Sequence, residues 1–441
     1  MKNKNSADRL QNFIDTPFFM RKFRFPFLLL IIAVVMNGCT GHQEKTFPDT
    51  PTVNVLTTSP ASPVSKTLPQ QDYVAQTPEV AVIVQQIETV SGEVGRDSNG
   101  TIISVDLAKG RSSVSDEVLR ISLQLPKLKK LRVASGSVTA ETLRQIAKQT
   151  DLEELYLQDI PMRNEDLDAI LPKLSQLKRL TLRSCNNITD HGVESIISLP
   201  KLRLAAFIRM NLTRSGLEKI VESKRITALD LRQCSRLLPE DYSLLKRMTQ
   251  LTDLKVAGFS IDDSVLETVL QLPALTGLTV EDAMISPEGF AELTVNPKVT
   301  EKLTSLILAR ISTLFDVHLE TLKNFHRLKR LSVNGMMITG EFLAILAAEE
   351  SKRPKLETLS LEKSLLTPEG AAALKHFREL KSLNLTGTVL SQELVEIIAA
   401  LETPEILNLS ECQLDNEMLK TIRNRKSVTT LIITGNPLIQ E

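Results

Sequence analysis

A short phrase (apolar, two residues, apolar, one residue, apolar) recurs fourteen times between Ile102 and Ile433. Successive phrases open 24 or 25 residues apart nearly everywhere, 26 apart once and 28 apart twice. A fixed period in this range is typical of a solenoid, in which each unit buries its apolar edge only by stacking on its neighbours. Repeats 1 to 14, with positions counted from the opening residue, begin at Ile102, Leu128, Leu152, Leu177, Leu202, Ile226, Leu251, Leu275, Leu303, Leu328, Leu356, Leu380, Pro404 and Val428.

Each repeat switches from one apolar period to another. Positions 4 and 6 are apolar in every repeat, as at Leu180 and Leu182, and this alternation predicts a short strand with one buried face. Apolar residues then follow at i, i+3 and i+4, as at Leu394, Ile397 and Ile398, which predicts an amphipathic helix. The strands are expected to form a parallel sheet on the concave side of an α/β solenoid, with the helices on the convex side.

Cap residues indicate where the helices begin. Ser286-Pro287-Glu288 and Thr367-Pro368-Glu369 place a hydroxyl before a proline at the first helical position, where the missing N–H of proline costs nothing. Six further residues stand in front of helical stripes and are predicted caps: Thr139, Thr189, Thr213, Thr339, Ser391 and Asp415. Each repeat therefore reads as strand, turn, helix and return.

The repeats resemble the ribonuclease-inhibitor and cysteine-containing classes of leucine-rich repeat. The stretch that carries the resemblance best is LKRLTLRSCNNITDHGV, from Leu177 to Val193, and the resemblance spans residues 102–436. It implies a leucine-rich-repeat solenoid of about 14 repeats over residues 101–441. Such repeats serve inhibitors, adaptors and receptors alike, so the resemblance implies a fold and leaves the function open.

The two ends of the repeat array differ in sequence. Residues 78–100, with apolar Val80, Val82 and Ile87, resemble the amino-terminal cap of bacterial proteins of this kind. At the other end Gly435-Asn436-Pro437 breaks the last repeat, and no dedicated cap follows. The final strand edge is therefore expected to be poorly covered.

Residues 1–39 have the order of an export signal. A basic run from Arg21 to Arg24 precedes twelve residues, Phe25 to Met36, without a polar side chain. That run is shorter than the roughly 20 residues of a membrane span. The following Asn37-Gly38-Cys39 resembles a bacterial lipobox with Cys39 as the acylated residue, although Met36 stands where Leu is usual. An uncleaved signal anchor and a plain secretory signal remain open.

Two further features concern the amino-terminal region. Asp8 and Asp15 are out of place in a signal, whereas Met20 onwards has the proportions of a complete one, so we hypothesise that translation begins at Met20. Residues 40–77 are rich in Pro, Thr, Ser and Gln and are predicted to be a disordered tether. As a coil, such a tether would reach roughly 35 Å.

Three cysteines share one position in their repeats. Cys185, Cys234 and Cys412 all occupy position 9, where a small polar side chain can meet backbone groups of the turn. Cys185 and Cys234 are two repeats apart, or roughly 10 Å at the usual strand spacing. A disulfide needs Cα atoms within about 7 Å. The three are therefore predicted to be free, buried thiols with structural roles.

Signs of chemistry are missing from the sequence. The five histidines do not pair with one another or with Cys or Glu at metal-ligand spacing. There is no phosphate-cradling glycine loop, nucleophile elbow or CxxC. Lys plus Arg equals Asp plus Glu at 53 each, so net charge favours no nucleic acid. We expect no enzymatic activity, metal, cofactor or small-molecule substrate.

The outward strand positions of repeats 2 to 6 concentrate arginine, one tyrosine and an apolar step. Arg and Tyr are favoured anchors of protein interfaces. The predicted partner-binding residues are Lys130, Arg132, Tyr156, Arg179, Arg183, Ile208 and Arg232. We hypothesise that a somewhat acidic protein docks there. The alternative is an ordinary mixed-charge surface in which Glu154 and Asp230 neutralise the arginines.

The sequence as a whole favours a lipid-anchored protein of the bacterial cell envelope, periplasmic or surface-exposed, that binds a protein on its concave face. One alternative is a structural envelope component that self-associates through strand edges or helical faces. Another is a cytoplasmic adaptor whose apolar segment comes from a wrongly assigned start.

Overall fold

The computed structural model describes residues 55–56, 78–110, 114–134, 136–425 and 427–439. The predicted signal with Cys39, the alternative start at Met20 and the predicted tether apart from Val55–Leu56 lie outside these described residues. The repeat array lies almost wholly within them.

A single 16-stranded sheet runs through the described part of the chain. Repeats 1 to 14 contribute strands β3 to β16, one each, and these pair in parallel in sequence order. The register sets equal positions side by side, as for Leu180 beside Ala205 and Leu254 beside Leu278. The strands are β1 Val55–Leu56, β2 Glu93–Arg96, β3 Ile102–Leu107, β4 Lys130–Ala134, β5 Glu154–Gln158, β6 Arg179–Arg183, β7 Leu204–Ile208, β8 Ala228–Asp230, β9 Asp253–Ala257, β10 Gly277–Glu281, β11 Ser305–Ala309, β12 Arg330–Asn334, β13 Thr358–Ser360, β14 Ser382–Asn384, β15 Ile406–Asn408 and β16 Thr430–Ile432.

Short helical segments return the chain from one strand to the next. The α-helices are α1 Pro78–Thr89, α2 Asp116–Ser122, α3 Ala140–Arg144, α4 Asn164–Ile170, α5 Val193–Ile197, α6 Arg214–Ile220, α7 Asp263–Val269, α8 Pro287–Val295, α9 Pro297–Thr300, α10 Asp316–Leu319, α11 Phe342–Ala347, α12 Pro368–Ala372, α13 Gln392–Ala399 and α14 Asn416–Arg423. The 3₁₀ segments are Gln145–Lys148, Leu171–Lys173, Pro239–Arg247, Glu320–Asn324 and Ala373–His376. In repeat 6 the 3₁₀ segment replaces the α-helix.

The core is one continuous apolar cluster from Ile83 to Leu431. Positions 4 and 6 of the strands face this cluster from one side, and the helical stripes face it from the other. Each repeat buries its apolar edge against the next, because no repeat is large enough to do so alone. The predicted α/β leucine-rich-repeat solenoid is therefore confirmed.

A left-handed backbone residue ends the strand segment at position 8. This conformation suits glycine, as at Gly335 with φ 61°. Other side chains adopt it as well, and Lys363 has φ 51° and Glu411 φ 56°. The N–H of each of these two residues donates to a carbonyl of the next repeat, Thr386 and Thr434 respectively, at 2.9 Å. Stacking between repeats therefore overrides the local preference of the residue.

Position 9 forms a ladder of buried side chains that donate to position 6 of the preceding repeat. The cysteines in the described residues are free and buried, as predicted. Burial raises the pKa of Cys185 to about 11 and that of Cys234 and of Cys412 to about 12. The donor-to-carbonyl distances are 3.6 Å from Cys185 to Leu157, 2.9 Å from Cys234 to Phe207, 3.1 Å from Cys412 to Leu385, 2.9 Å from Thr388 to Leu361 and 2.8 Å from Asn436 to Leu409.

Six of the eight predicted helix caps accept a backbone N–H as expected: Ser286, Thr367, Thr139, Thr213, Ser391 and Asp415. The prediction of Thr189 and Thr339 as caps is wrong, because α5 and α11 begin later. Gly192 and Glu341 stand at the cap positions of these helices. The backbone N–H groups of these two threonines instead donate to Asn164 and Asp316 of the preceding repeat.

These side chains belong to a wider pattern of bonds between helix starts. Asp116 accepts from the backbone of Thr139 at 2.8 Å, and Asp263 accepts from the backbone of Ser286 at 2.9 Å. In each case an acid in the first turn of one helix holds the cap residue of the next repeat. The pattern joins successive repeats along the edge where strands end and helices begin.

Both ends of the sheet carry an antiparallel strand. At the amino-terminal end β2 pairs with β3, and Ile83 and Ile87 of α1 are buried in the core. At the carboxyl-terminal end β1 pairs with β16, with Val55 opposite Ile432. The expectation that the final strand edge is poorly covered is therefore wrong. Pairing satisfies backbone groups that an open edge would leave free.

Candidate functional site

The sheet register brings five predicted residues into one surface. Outward positions 3, 5 and 7 of β4 to β7 form three rows across the concave face. Arg132 lies beside Tyr156, and Arg183 lies beside Ile208. Arg179 lies on the same strand as Arg183, two residues before Thr181, and Thr181 neighbours Tyr156. We call Arg132, Tyr156, Arg179, Arg183 and Ile208 the concave patch.

Tyr156 is held firmly within this patch. The guanidinium carbon of Arg132 lies 4.2 Å above the centre of its ring, a cation–π contact. Nε of Arg132 also lies 3.0 Å from Asp106, and the Tyr156 hydroxyl donates to Gln158. A ring fixed in this way loses little conformational freedom when a partner covers it.

Arg179 is the exposed cation of the patch. Its side chain faces solvent, and no hydrogen bond or ion pair of its guanidinium is found in the described ranges. Leu204 lies beside it on β7, and Leu204 and Ile208 are half-buried with buried Ala206 between them. The patch therefore offers a positive charge next to an apolar step, a combination that suits a partner with acidic and apolar side chains.

Besides Arg132 with Asp106, two more of the seven predicted residues form ion pairs with acidic side chains. Nζ of Lys130 lies 3.0 Å from Glu154. The Arg232 guanidinium lies 2.9 Å from Asp230 and 3.2 Å from Glu281. Burial alone would lower the pKa of Arg232, but these bonds outweigh it and the pKa is raised. The alternative, a mixed-charge surface neutralised by acids, therefore applies to Lys130, Arg132 and Arg232. Arg132 remains in the concave patch because its guanidinium also stacks on Tyr156, whereas Arg232 is bound by two carboxylates and is left out of the patch.

An ion-pair network continues beyond Arg232 into repeats 8 and 9. The Arg310 guanidinium lies 2.6 Å from Asp282 and 3.0 Å from Glu281. Hydrogen bonding from Arg310 lowers the pKa of Asp282. Sequence reasoning missed this network, although Asp282 and Arg310 occupy position 8 of adjacent repeats and are therefore neighbours.

Asp253 is a half-buried carboxylate on the same face. Burial raises its pKa, and the nearby charge of Asp230 adds to that effect while Lys255 opposes it. The next strand has Gly277 alongside, where a Cβ would lie 2.4 Å from the Asp253 carboxylate oxygen. Only glycine leaves room for this side chain, so the carboxylate fills the space of an absent side chain.

The described residues also bear on metal binding, cavities and membrane crossing. No group of three or more His, Cys, Asp and Glu side chains within them could hold a metal ion. A surface hollow of about 430 Å³, lined in part by Lys323, His326 and Ile345, lies on the helical side, away from the concave patch. Across the same ranges no helix combines the length and apolarity that crossing a membrane requires.

Comparison with solved structures supports the fold through one match with a TM-score above 0.5. No family model matches the sequence. The chain is similar to a chain in the crystal structure of the Rad7 and Elc1 complex of yeast, with a TM-score of 0.52 and 18% identity over 74% of this chain and 81% of that one. An internalin from Listeria monocytogenes str. 4b F2365 matches at 0.39 and 21% identity over 80% of this chain and 94% of that one. A chain of the TLR13–ssRNA13 complex matches at 0.35 and 20% identity, over 75% of this chain and 47% of that one.

Proposed function

We propose that this protein is a non-enzymatic protein-binding module, held in the bacterial cell envelope by a lipid on Cys39. The solenoid supports the binding role, because fourteen strands in register present one continuous surface in the described part of the chain. The order of basic, apolar and small residues before Cys39 supports the anchor. The site on the envelope, periplasmic or surface-exposed, is part of the same proposal.

The observation that carries the binding role is the exposed Arg179 between a fixed Arg132–Tyr156 stack and a half-buried apolar step. Interfaces draw most of their affinity from a few such anchors, with Arg and Tyr among the commonest. The partner that fits is a somewhat acidic protein with apolar side chains at the centre of its contact surface.

Charge reversal of the patch tests this binding role. The full chain is used to isolate partners from envelope extracts, and the affinity of each partner is measured for wild type and for Arg179→Glu combined with Arg183→Glu. We expect the affinity to fall by about tenfold or more. The control reverses two exposed cations far from the patch, Lys224→Glu with Arg225→Glu, and should leave affinity unchanged. Equal affinities for both double variants would contradict the role of the patch.

The anchor is tested separately. Metabolic labelling with a palmitate analogue should mark the wild-type chain in the membrane fraction, and Cys39→Ala should abolish the label. An unlabelled wild-type chain in the cytosol would support the adaptor alternative instead. Mass spectrometry of the unprocessed precursor addresses the start, since a peptide spanning residues 9–20 would rule out Met20.

The structural alternative predicts self-association. Size-exclusion chromatography with light scattering should give a monomer mass for the binding module. A concentration-dependent oligomer in the absence of any partner would favour the structural role.

A further inference from the structure

A row of exposed apolar side chains runs along one edge of the solenoid, where strands end and helices begin. The row consists of Met284, Met337, Leu365 and Val389, which are exposed by 55%, 50%, 56% and 59% respectively. All four occupy position 10 of their repeats, namely repeats 8, 10, 11 and 12. We call them the apolar edge row. Ser312 interrupts it in repeat 9.

The row is a feature of the carboxyl-terminal half alone. Position 10 of repeats 3, 4 and 5 holds Pro161, Asn186 and Asn211. The flanking positions 9 and 11 are buried in repeats 3 and 5 as well as in the four repeats of the row, as at Met336 and Ile338 in repeat 10. The core therefore does not require an apolar residue at position 10. Single exposed apolar residues are common, but an aligned set of them in neighbouring repeats is typical of a contact surface.

The backbone keeps the row aligned. The N–H of Met284 donates to the carbonyl of Ile261 at 2.8 Å, and the N–H of Leu365 donates to the carbonyl of Ile338 at 2.9 Å. Each bond joins position 10 of one repeat to position 11 of the preceding one. The row is therefore tied to the repeat framework, and its side chains lie at the spacing of the repeats.

An acidic row accompanies the apolar one. Each apolar side chain is followed four residues later by an exposed glutamate at the start of the helix: Glu288, Glu341, Glu369 and Glu393. None of these four carboxylates makes a hydrogen bond or ion pair within the described part of the chain. By contrast, Asp263 and Asp316 at comparable sites in repeats 7 and 9 are bonded to the next repeat. Charge complementarity therefore favours a cationic partner along this edge.

The spacing of the row suits a helix. Neighbouring repeats lie about 4.8 Å apart at the sheet, close to the 5.4 Å pitch of an α-helix. The four intervals from repeat 8 to repeat 12 span about 19 Å, which corresponds to roughly 13 helical residues. A helix laid along the edge could thus place one apolar side chain per turn against successive members of the row.

We propose that the apolar edge row binds a cationic amphipathic helix, whose apolar face covers Met284, Met337, Leu365 and Val389 while its Lys and Arg side chains face the adjacent glutamates. This surface is distinct from the concave patch and does not depend on it. The partner is complementary to it in both apolarity and charge.

The probe is a synthetic 14-residue amphipathic helix of Leu and Lys, and the matched peptide has Glu in place of Lys. Each fluorescent peptide is titrated into the full chain held in zwitterionic nanodiscs, with empty nanodiscs as the reference. We expect the Leu/Lys peptide to bind in a salt-sensitive manner and the Leu/Glu peptide not to bind. Binding of both peptides with equal affinity would overturn the proposal.

Two triple variants test the two rows separately. The first variant combines Met337→Ser, Leu365→Ser and Val389→Ser and so removes apolar side chains of the row. It should bind the Leu/Lys peptide about tenfold or more weakly than wild type does. The second variant combines Glu341→Gln, Glu369→Gln and Glu393→Gln and so removes charge from the acidic row. It should weaken peptide binding less than the first variant and reduce the salt dependence of that binding. The Arg179→Glu, Arg183→Glu variant should still bind the peptide, so that failure of the concave patch and failure of this surface are separable.

The control removes exposed apolar side chains elsewhere, in Val82→Ser, Val295→Ser and Ile406→Ser combined. It should bind the Leu/Lys peptide as wild type does, and an equal loss would overturn the proposal. Two other outcomes also overturn it. One is a dimer of the full chain that the apolar triple variant abolishes, which assigns the row to a second copy. The other is peptide-independent binding of the row to nanodisc lipid, which assigns it to a membrane surface.

Discussion

Repeats 2 to 6 and repeats 8 to 12 bury the same positions but present different surfaces. The first set has a concave face of Arg, Tyr and apolar side chains, with a polar residue at position 10 in repeats 4 and 5. The second set has small polar side chains on most of the concave face and apolar residues at position 10 of repeats 8, 10, 11 and 12. Stacking constrains positions 4, 6 and 9 in both sets, so the outward positions are free to diverge. One scaffold thus carries two chemically distinct surfaces.

Repeats 12 and 13 also differ from repeat 4 in how their concave polar groups are satisfied. In repeat 12 the side-chain Oδ1 of Asn384 accepts from the backbone N–H of Thr386 at 3.1 Å and from its hydroxyl at 2.7 Å. In repeat 13 Asn408 makes the same pair of bonds to Ser410. These side chains already bond within their own strands, whereas Arg179 in repeat 4 has no such bond. This difference favours the concave patch around Arg179 as the binding region.

The largest expected effect separates core from edge within repeat 11. Leu359 is fully buried, and Leu359→Ala should destabilise the chain by about 2–5 kcal/mol because it removes packed atoms and leaves a cavity. The exposed Leu365 is its matched control, and Leu365→Ala should change stability by less than about 0.5 kcal/mol. Urea unfolding of the full chain measures both. Comparable losses would show that the apolar edge row belongs to the core and not to a contact surface.

A smaller effect is expected from the two arginines that sequence analysis treated alike. Arg232→Ala leaves the mostly buried Asp230 and Glu281 without their shared cation and should destabilise the chain by about 2 kcal/mol. Arg179→Ala removes an exposed side chain and should have almost no effect on stability. The urea midpoints of the two variants, measured in the same buffer, compare their stabilities. If Arg232→Ala is as stable as wild type, the ion pairs of Arg232 do not stabilise the fold, and Arg232 is again a candidate residue for partner binding.

The smallest effect is a gain in stability from Asp253→Asn at neutral pH. The folded chain raises the pKa of Asp253 above its ordinary value of 3.8, chiefly by burial, so the folded state binds this proton more tightly than the unfolded state. The contribution of the group to stability is therefore full below pH 3.8 and is lost as pH rises through the folded pKa. Asn resembles the protonated form and should not lose that contribution.

Unfolding midpoints from pH 7 down to pH 3.5 measure the effect. The advantage of Asp253→Asn over wild type should shrink as pH falls and vanish below about pH 3.8. A variant less stable than wild type at pH 7 would show that the carboxylate makes a net favourable contribution with Lys255 and Arg330, which face it.

The sequence by itself determined the repeat boundaries, the strands, most of the caps and the ladder of free cysteines. These features depend on equal positions in neighbouring repeats, and a regular period displays that relation directly. The period also indicated which side chains face outward, and the register places Arg132, Tyr156, Arg179, Arg183 and Ile208 on neighbouring strands.

Only the tertiary structure decided which of those outward side chains are already engaged. Arg232 meets Glu281 across 49 residues of sequence, and β1 covers the last strand from the far end of the chain. The helix-start bonds that displaced Thr189 and Thr339 as caps also join one repeat to the next. Such pairings depend on side-chain reach and on the curvature of the sheet, which a repeating pattern of apolar residues does not encode.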